Sequence, residues 1–139
     1  MATQTEVRDQ IGTAFAAWVT ANLTGVPIAW DDREFDPATA DKSVGYVRFT
    51  LLFAGGSQAS LGASHFRDVA TVIVQTFADI EDVGRSDVLA ESCKNFLRSL
   101  PQGAAGIRVI DPGVVTVGPD RGVWYQQNAT ATLTFDSHV

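Results

Sequence analysis

The chain has 139 residues, 45% of them hydrophobic and 19% charged, a balance that suits one domain with a real core and argues against extended disorder. Its formal net charge is −6, which disfavours nucleic acid as a tightly held ligand. Its single cysteine, Cys93, excludes an intramolecular disulfide, and no apolar leader or 18-residue apolar run points to a membrane.

Val7, Ile11, Phe15, Trp18 and Val19 recur at helical spacing, so residues 5–22 read as an amphipathic helix stopped by Gly25 and Pro27. Val26 to Trp30 is expected to be a short strand. The loop from Asp31 to Lys42 follows, with five acids and two bases. Val44 to Ala54 alternates as a strand. Val47, Phe49, Leu51 and Phe53 point one way; Tyr46, Arg48 and Thr50 point the other. Gly55-Gly56 reads as a tight turn, Ser57 to Leu61 as the start of the return, and Gly62 as a bulge or break. Residues 66–78 form a second long strand, apolar enough near its middle to be buried on both faces.

Ser86 is expected to cap a second helix carrying Leu89, Cys93, Phe96 and Leu100 on one stripe, ended by Pro101-Gln-Gly103. Ile107 to Ile110 and Val114 to Val117 read as two short strands around Pro112-Gly113. Gly118 to Gly122 reads as a turn, and Val123 to Phe135 as a long alternating strand. The order α-β-β-β-α-β-β-β predicts an α+β fold: a mostly antiparallel sheet with two helices packed on one face, in a single domain over residues 1–139.

If the first three strands form a meander, loop 31–42 and segment 79–87 meet at one end of the sheet. Segment 79–87 holds four acids, Asp79, Glu81, Asp82 and Asp87, against Arg85. The two segments would then make one acidic rim.

Groups able to do chemistry are few. His65 stands at a strand entrance near Ser64, with no nucleophile-elbow motif, and His138 is expected to fray at the chain end. Cys93 lies on an apolar stripe and reads as a buried, inert thiol. No Cys/His set has zinc spacing. Asp31-Asp32, Glu34 and Asp36 could face a cation, but the loop lacks the glycine and the twelfth-position glutamate of a calcium-binding EF-hand loop. Arg67 could pair with Asp68 or a neighbouring strand, or serve an interface. The Gln/Asn/Thr face of the last strand is a solvent face, or an edge for subunit contact. Two Asn-x-Thr sequons, at Asn22 and Asn128, read as chance matches in a cytoplasmic chain. No enzyme activity, cofactor or metal is expected.

Three stretches in order carry a resemblance: "VPIAWDDREFDP", "GYVRFTLLFAGGSQASLG" and "FRDVATVIVQTFADIEDVGRSDVLAESCKNFL". Together they resemble the tail terminator family of long-tailed bacteriophages and prophages. Trp30, Phe35, Pro37, Tyr46, Arg48, Leu51, Leu52, Gln58, Ser60, Leu61, Gly62, Val74, Gln75, Phe77 and Gly84 fall in the family's order, and Trp124-Tyr125 and Phe135 match its closing strand. These are mainly packing and turn residues, so their order is more specific than any one of them. The chain departs from the pattern at Asp32, where the family often has Asn, and at Asp68-Val69-Ala70, where it often has a glycine.

The resemblance implies a structural virion protein, made in the host cytoplasm and placed at the tail or neck. It implies a homohexameric ring that caps the tail tube, stops its elongation and presents a surface to a head-completion or connector protein. The genome would pass through without specific binding. Another neck protein is the nearest alternative, and a small-ligand-binding α+β domain a more distant one. The interface candidates are Asp31, Asp32, Arg33, Glu34, Phe35, Asp36, Arg48, Arg67, Asp79, Glu81 and Asp82. Phe35 is the odd member of its loop: either an anchor for a neighbour's pocket, or a ring folded back on its own core near Trp30.

Overall fold

The computed structural model describes residues 4–58, 65–100, 107–120 and 122–138. Elements run α1 (Gln4–Asn22), β1 (Ile28–Trp30), a 3₁₀ turn (Pro37–Thr39), β2 (Tyr46–Gln58), β3 (His65–Asp79), α2 (Val83–Ser99), β4 (Arg108–Asp120) and β5 (Trp124–His138). The five strands make one sheet in the order β1-β2-β3-β5-β4. Every neighbouring pair is antiparallel except β1 and β2. Both helices pack on one face, giving the α+β architecture that the hydrophobic periodicity predicts. Among the described residues no helix is long and apolar enough to cross a membrane.

The core sits between that face and the helices. Val7, Ile11, Phe15 and Val19 of α1 and Leu89, Cys93, Phe96 and Leu97 of α2 meet Val47, Phe49 and Leu51 of β2. Ala70, Val72 and Val74 of β3 and Ala129, Ala131, Leu133 and Phe135 of β5 complete it. Phe15 is the hub: its ring stacks on Phe49 at 5.2 Å and meets Phe96 edge-on at 5.2 Å and Trp30 at 6.3 Å. Two polar contacts orient α1. The Trp18 indole N–H donates to Ser92 Oγ on α2 (3.1 Å), and the Arg8 guanidinium lies 5.2 Å from the Phe53 ring centre.

A buried polar chain fixes α2 to the sheet, and sequence patterning does not show it. Thr76 Oγ1 donates to the Gln127 carbonyl (2.9 Å). The Gln127 side-chain amide donates to Ser86 Oγ (2.9 Å) and Asp87 Oδ1 (2.8 Å). Thr76, Ser86 and Gln127 are all buried. Ser86 is therefore not the helix cap. The cap is Asp82, whose carboxylate accepts from the Arg85 N–H, and the helix begins four residues earlier than expected. Gln127→Met keeps the length but leaves Ser86 and Asp87 without their donor. It is expected to cost about 1–3 kcal/mol, read from urea melts.

Cys93 is fully buried, and burial pushes its thiol up to about 12. The unfolded chain loses this proton near the ordinary thiol value of 9.0, and the folded chain holds it to about 12. Above pH 9 the unfolded state therefore binds fewer protons, and stability falls as pH rises through that window. Cys93→Ala is expected to flatten that part of the stability–pH curve relative to the parent. In the native parent, thiol reagents should find nothing to label.

Several boundaries move. Gly55-Gly56 is not a turn: β2 runs through it to Gln58, with a register shift between Ala54 and Ser57. The two short strands expected at 107–117 are one strand, β4, shifted in register between Ile110 and Gly113, where Asp111 takes a positive φ of 53° before Pro112. β4 continues through Gly118-Pro119 to Asp120, so the turn into β5 is shorter than expected. β3 is central, and its helix side is buried from Ala70 to Ala78; on the other side Phe77 is buried, while Val69, Thr71, Ile73 and Gln75 are half-covered. His138 is not frayed, since it ends β5 opposite His65 of β3. Ser60, Leu61, Gly62, Ser64 and the helix stop at Pro101-Gln-Gly103 lie outside the described residues.

Candidate assembly surface

The first three strands are not a meander. Ile28, Ala29 and Trp30 lie beside Val47, Arg48 and Phe49 in parallel, so the chain leaving β1 must travel back before β2 can begin. The loop of residues 31–45 is that crossover, and it passes over the face opposite the helices. This explains an aromatic residue in an acidic loop. Phe35 and Ala40 pack on Tyr46, Phe77 and Trp124, a second small core on the side of the sheet away from the helices. The Phe35 ring lies 4.9 Å from Tyr46, and Tyr46 stacks on Phe77 at 4.5 Å and meets Trp124 edge-on at 5.1 Å.

The free-anchor reading of Phe35 is thereby corrected, and so is the partner in the fold-back reading, which is Tyr46 rather than Trp30. Trp30 faces the helices, against Phe15 and Phe49. Phe35→Ala is expected to lower stability by about 2–3 kcal/mol, less than a fully buried Phe because this ring is only partly buried. Differential scanning calorimetry of the variant reads it.

Most of the acids in the two acidic segments are held by hydrogen bonds, four of them in turns or caps. Asp31 Oδ1 accepts from the Thr50 hydroxyl at 3.0 Å. Asp36 caps the 3₁₀ turn by accepting from the Ala38 N–H (3.0 Å). Asp41 accepts from both the hydroxyl and the N–H of Ser43, and these bonds hold its carboxyl below the ordinary value. Asp79 Oδ1 accepts from the Glu81 N–H (3.1 Å), and Asp82 caps α2. Asp32 and Arg33 approach to 3.9 Å while both stay largely exposed, a pair of little energetic weight. Glu34 and Glu81 are exposed.

The single acidic rim holds only in part. Tyr46 lies opposite Phe77, and Arg85 Nε donates to the Val44 carbonyl (3.1 Å), so the end of the crossover does reach segment 79–82. It arrives by doubling back, not by a meander. Asp31 is tied to Thr50, four residues along β2 and roughly 13 Å from that end. Arg67 sits on β3 opposite Ser57 and Asp136; its side chain is outside the described residues.

What the sequence reading missed is the face itself. β5 is not an edge strand, because β3 and β4 flank it, so its Gln/Asn/Thr row is available only face-on. Register aligns that row with its neighbours. Arg48, Gln75, Asn128 and Val115 run across four strands; Thr50, Ile73, Thr130 and Gly113 make the next row; Leu52, Thr71, Thr132 and Ile110 the third. Beyond the crossover no described element covers these rows. Leu52 and Val115 are 54% and 58% exposed, and Ile110 is also exposed.

The sheet edges offer less. β1 has three residues. β4 is broken by register shifts on either side of Gly113–Thr116, and Pro112 and Pro119 lack an N–H. Among the described residues no three His, Cys, Asp or Glu side chains converge as a metal site.

No family model matches this chain, and no curated protein does. Among the solved structures it is similar to a protein that bears no functional name, with a TM-score of 0.65 and 17% identity, covering 100% of this chain and 99% of the other. At that identity the likeness shows the fold alone.

Proposed function

We propose that this chain is a structural assembly protein of the phage tail or neck, acting as a homo-oligomeric ring on the tail tube. The ring, a hexamer by the resemblance, ends tube growth and offers the next surface to a head-completion or connector protein. DNA passes through without specific contacts. A neighbouring neck protein with the same building plan is the second reading, motivated by the departures at Asp32 and Asp68-Val69-Ala70.

The observation that carries the reading is the uncovered sheet face, four strands wide, with Leu52, Ile110 and Val115 standing exposed among threonines and amides. An exposed apolar set on a rigid sheet is the kind of surface that protein contacts cover. Two unlike surfaces, this face and the acidic crossover, supply what a closed head-to-tail ring requires. Asp36, Asp41, Asp79 and Asp82 secure turns or caps, which fits a scaffold whose loops must hold shape. Negative-stain electron microscopy and native mass spectrometry, alone and with tail tubes, test the proposal. Rings on tube ends support it; a monomer that binds no tube overturns it.

A further inference from the structure

Where the crossover meets the open face there is a cleft of about 630 Å³ that the assembly reading does not use. That volume lies within the range of small-molecule sites. Its floor is formed by Tyr46, Arg48, Gln75, Phe77, Trp124 and Gln126, from three adjacent strands. Its roof is the 3₁₀ turn, and Lys42 stands on its wall.

Arg48 is the group that calls for a ligand. It is half-buried, and among the described residues its guanidinium makes no hydrogen bond or ion pair. The carboxylate on the cleft wall, Asp36, is already used: its Oδ1 accepts from the Ala38 N–H. The amide of Gln126 is also engaged, donating to Asn128 Oδ1 at 3.0 Å. A partly desolvated guanidinium with free donors gains most from a planar anion that takes two N–H groups at once. The aromatic wall beside it gains from a flat apolar body. Lys42 adds a second cation, so even with the Asp36 carboxylate the lining keeps a net positive charge in a chain of net charge −6.

We propose that this cleft binds an aryl carboxylate, with the carboxylate on Arg48 and the ring against the wall of Tyr46, Phe77 and Trp124. The occupant is a small molecule. The inference stands on the cavity and does not need the ring. Phosphate esters share the charge but are tetrahedral, and the test separates the two.

The experiment is a ¹H–¹⁵N NMR titration of the whole chain with 1-naphthoate, run beside 1-naphthyl phosphate and 1-naphthalenemethanol. Naphthoate is expected to shift the Gln75, Phe77 and Gln126 amides and the Trp124 indole together. The neutral alcohol and the Arg48→Gln variant should each bind about tenfold more weakly or worse, the effect of removing one charge-assisted pair. Arg48 holds nothing in the fold, so R48Q should melt with the parent. Should it not, the comparison of acid with alcohol on the parent decides. No shifts at the cleft, equal binding of acid and alcohol, or tighter binding of the phosphate each overturns the carboxylate assignment. The titration reads the cleft alone, so its failure would leave ring assembly untouched.

Discussion

Gly45→Ala is expected to cost about 3–5 kcal/mol, enough to lower the melting temperature by on the order of 10 °C or more. Two independent penalties meet at this residue. Its φ of +84° is the left-handed region, and its added Cβ would run into the Phe77 carbonyl oxygen and the Leu89 side chain. The position is forced by topology. The crossover must land next to the end of β3 and under α2 before β2 can start, and Asp41 ties it down by accepting both the Val44 and Gly45 N–H groups with its carbonyl. Gly25 provides the control. It has a φ of +80° but nothing within 4 Å of an added Cβ, so Gly25→Ala should show the backbone strain alone, about 1–2 kcal/mol. Equal losses at both sites, measured by urea unfolding, would remove close approach as the cause.

Gly45 also marks where sequence reading stopped working. Amphipathic periodicity is local, and it locates both helices and the strands β2, β3 and β5, because each has one face in a shared core. Pairing is not local. Nothing in Val26 to Trp30 says whether its neighbour runs with it or against it, and the shortest antiparallel arrangement is the natural expectation. The parallel pairing of β1 with β2 turns the acidic loop from a hairpin tip into a crossover strap. Phe35 changes role with it, from a free anchor to the lid of a second core. Gly45 held the one available signal, a glycine next to a strand start with no turn dipeptide to explain it.

The other misreadings share a cause: a residue type with two common uses. Ser86 is a good cap in isolation, but Asp82 is an equally good one a turn earlier. Gln127 in the sheet takes the Ser86 hydroxyl as a buried partner. Gly55-Gly56 has turn composition, yet β2 carries it through as an irregular stretch of strand. Pro112 has the composition of a strand break and is the site of a register shift in one edge strand. Among the interface candidates, Arg48 alone lies on both the open face and the cleft. Asp36 lines the cleft but caps its own turn, Asp79 and Asp82 are absorbed by local hydrogen bonds, and Asp31 is tied to Thr50 on β2.

The double variant Leu52→Glu/Val115→Glu should abolish ring formation while leaving the subunit folded. Leu52 and Val115 are more than half exposed, on β2 and β4 near opposite margins of the open face. Their replacement therefore removes little buried area, and the melting temperature should change by no more than about 2 °C. In a ring the same side chains would lie under a neighbour. Two carboxylates placed there would be desolvated without partners, and loss of a central anchor alone is typically worth about 2 kcal/mol or more, roughly thirtyfold in Kd. Val88→Glu is the matched control: it is 53% exposed but lies on α2, in the helical layer. Sedimentation velocity with tube-capping assays on all three proteins decides between surfaces. Rings lost in the sheet variant and kept in Val88→Glu place the contact on the open face. The reverse pattern would move assembly to the helices and leave the exposed sheet without the role assigned to it.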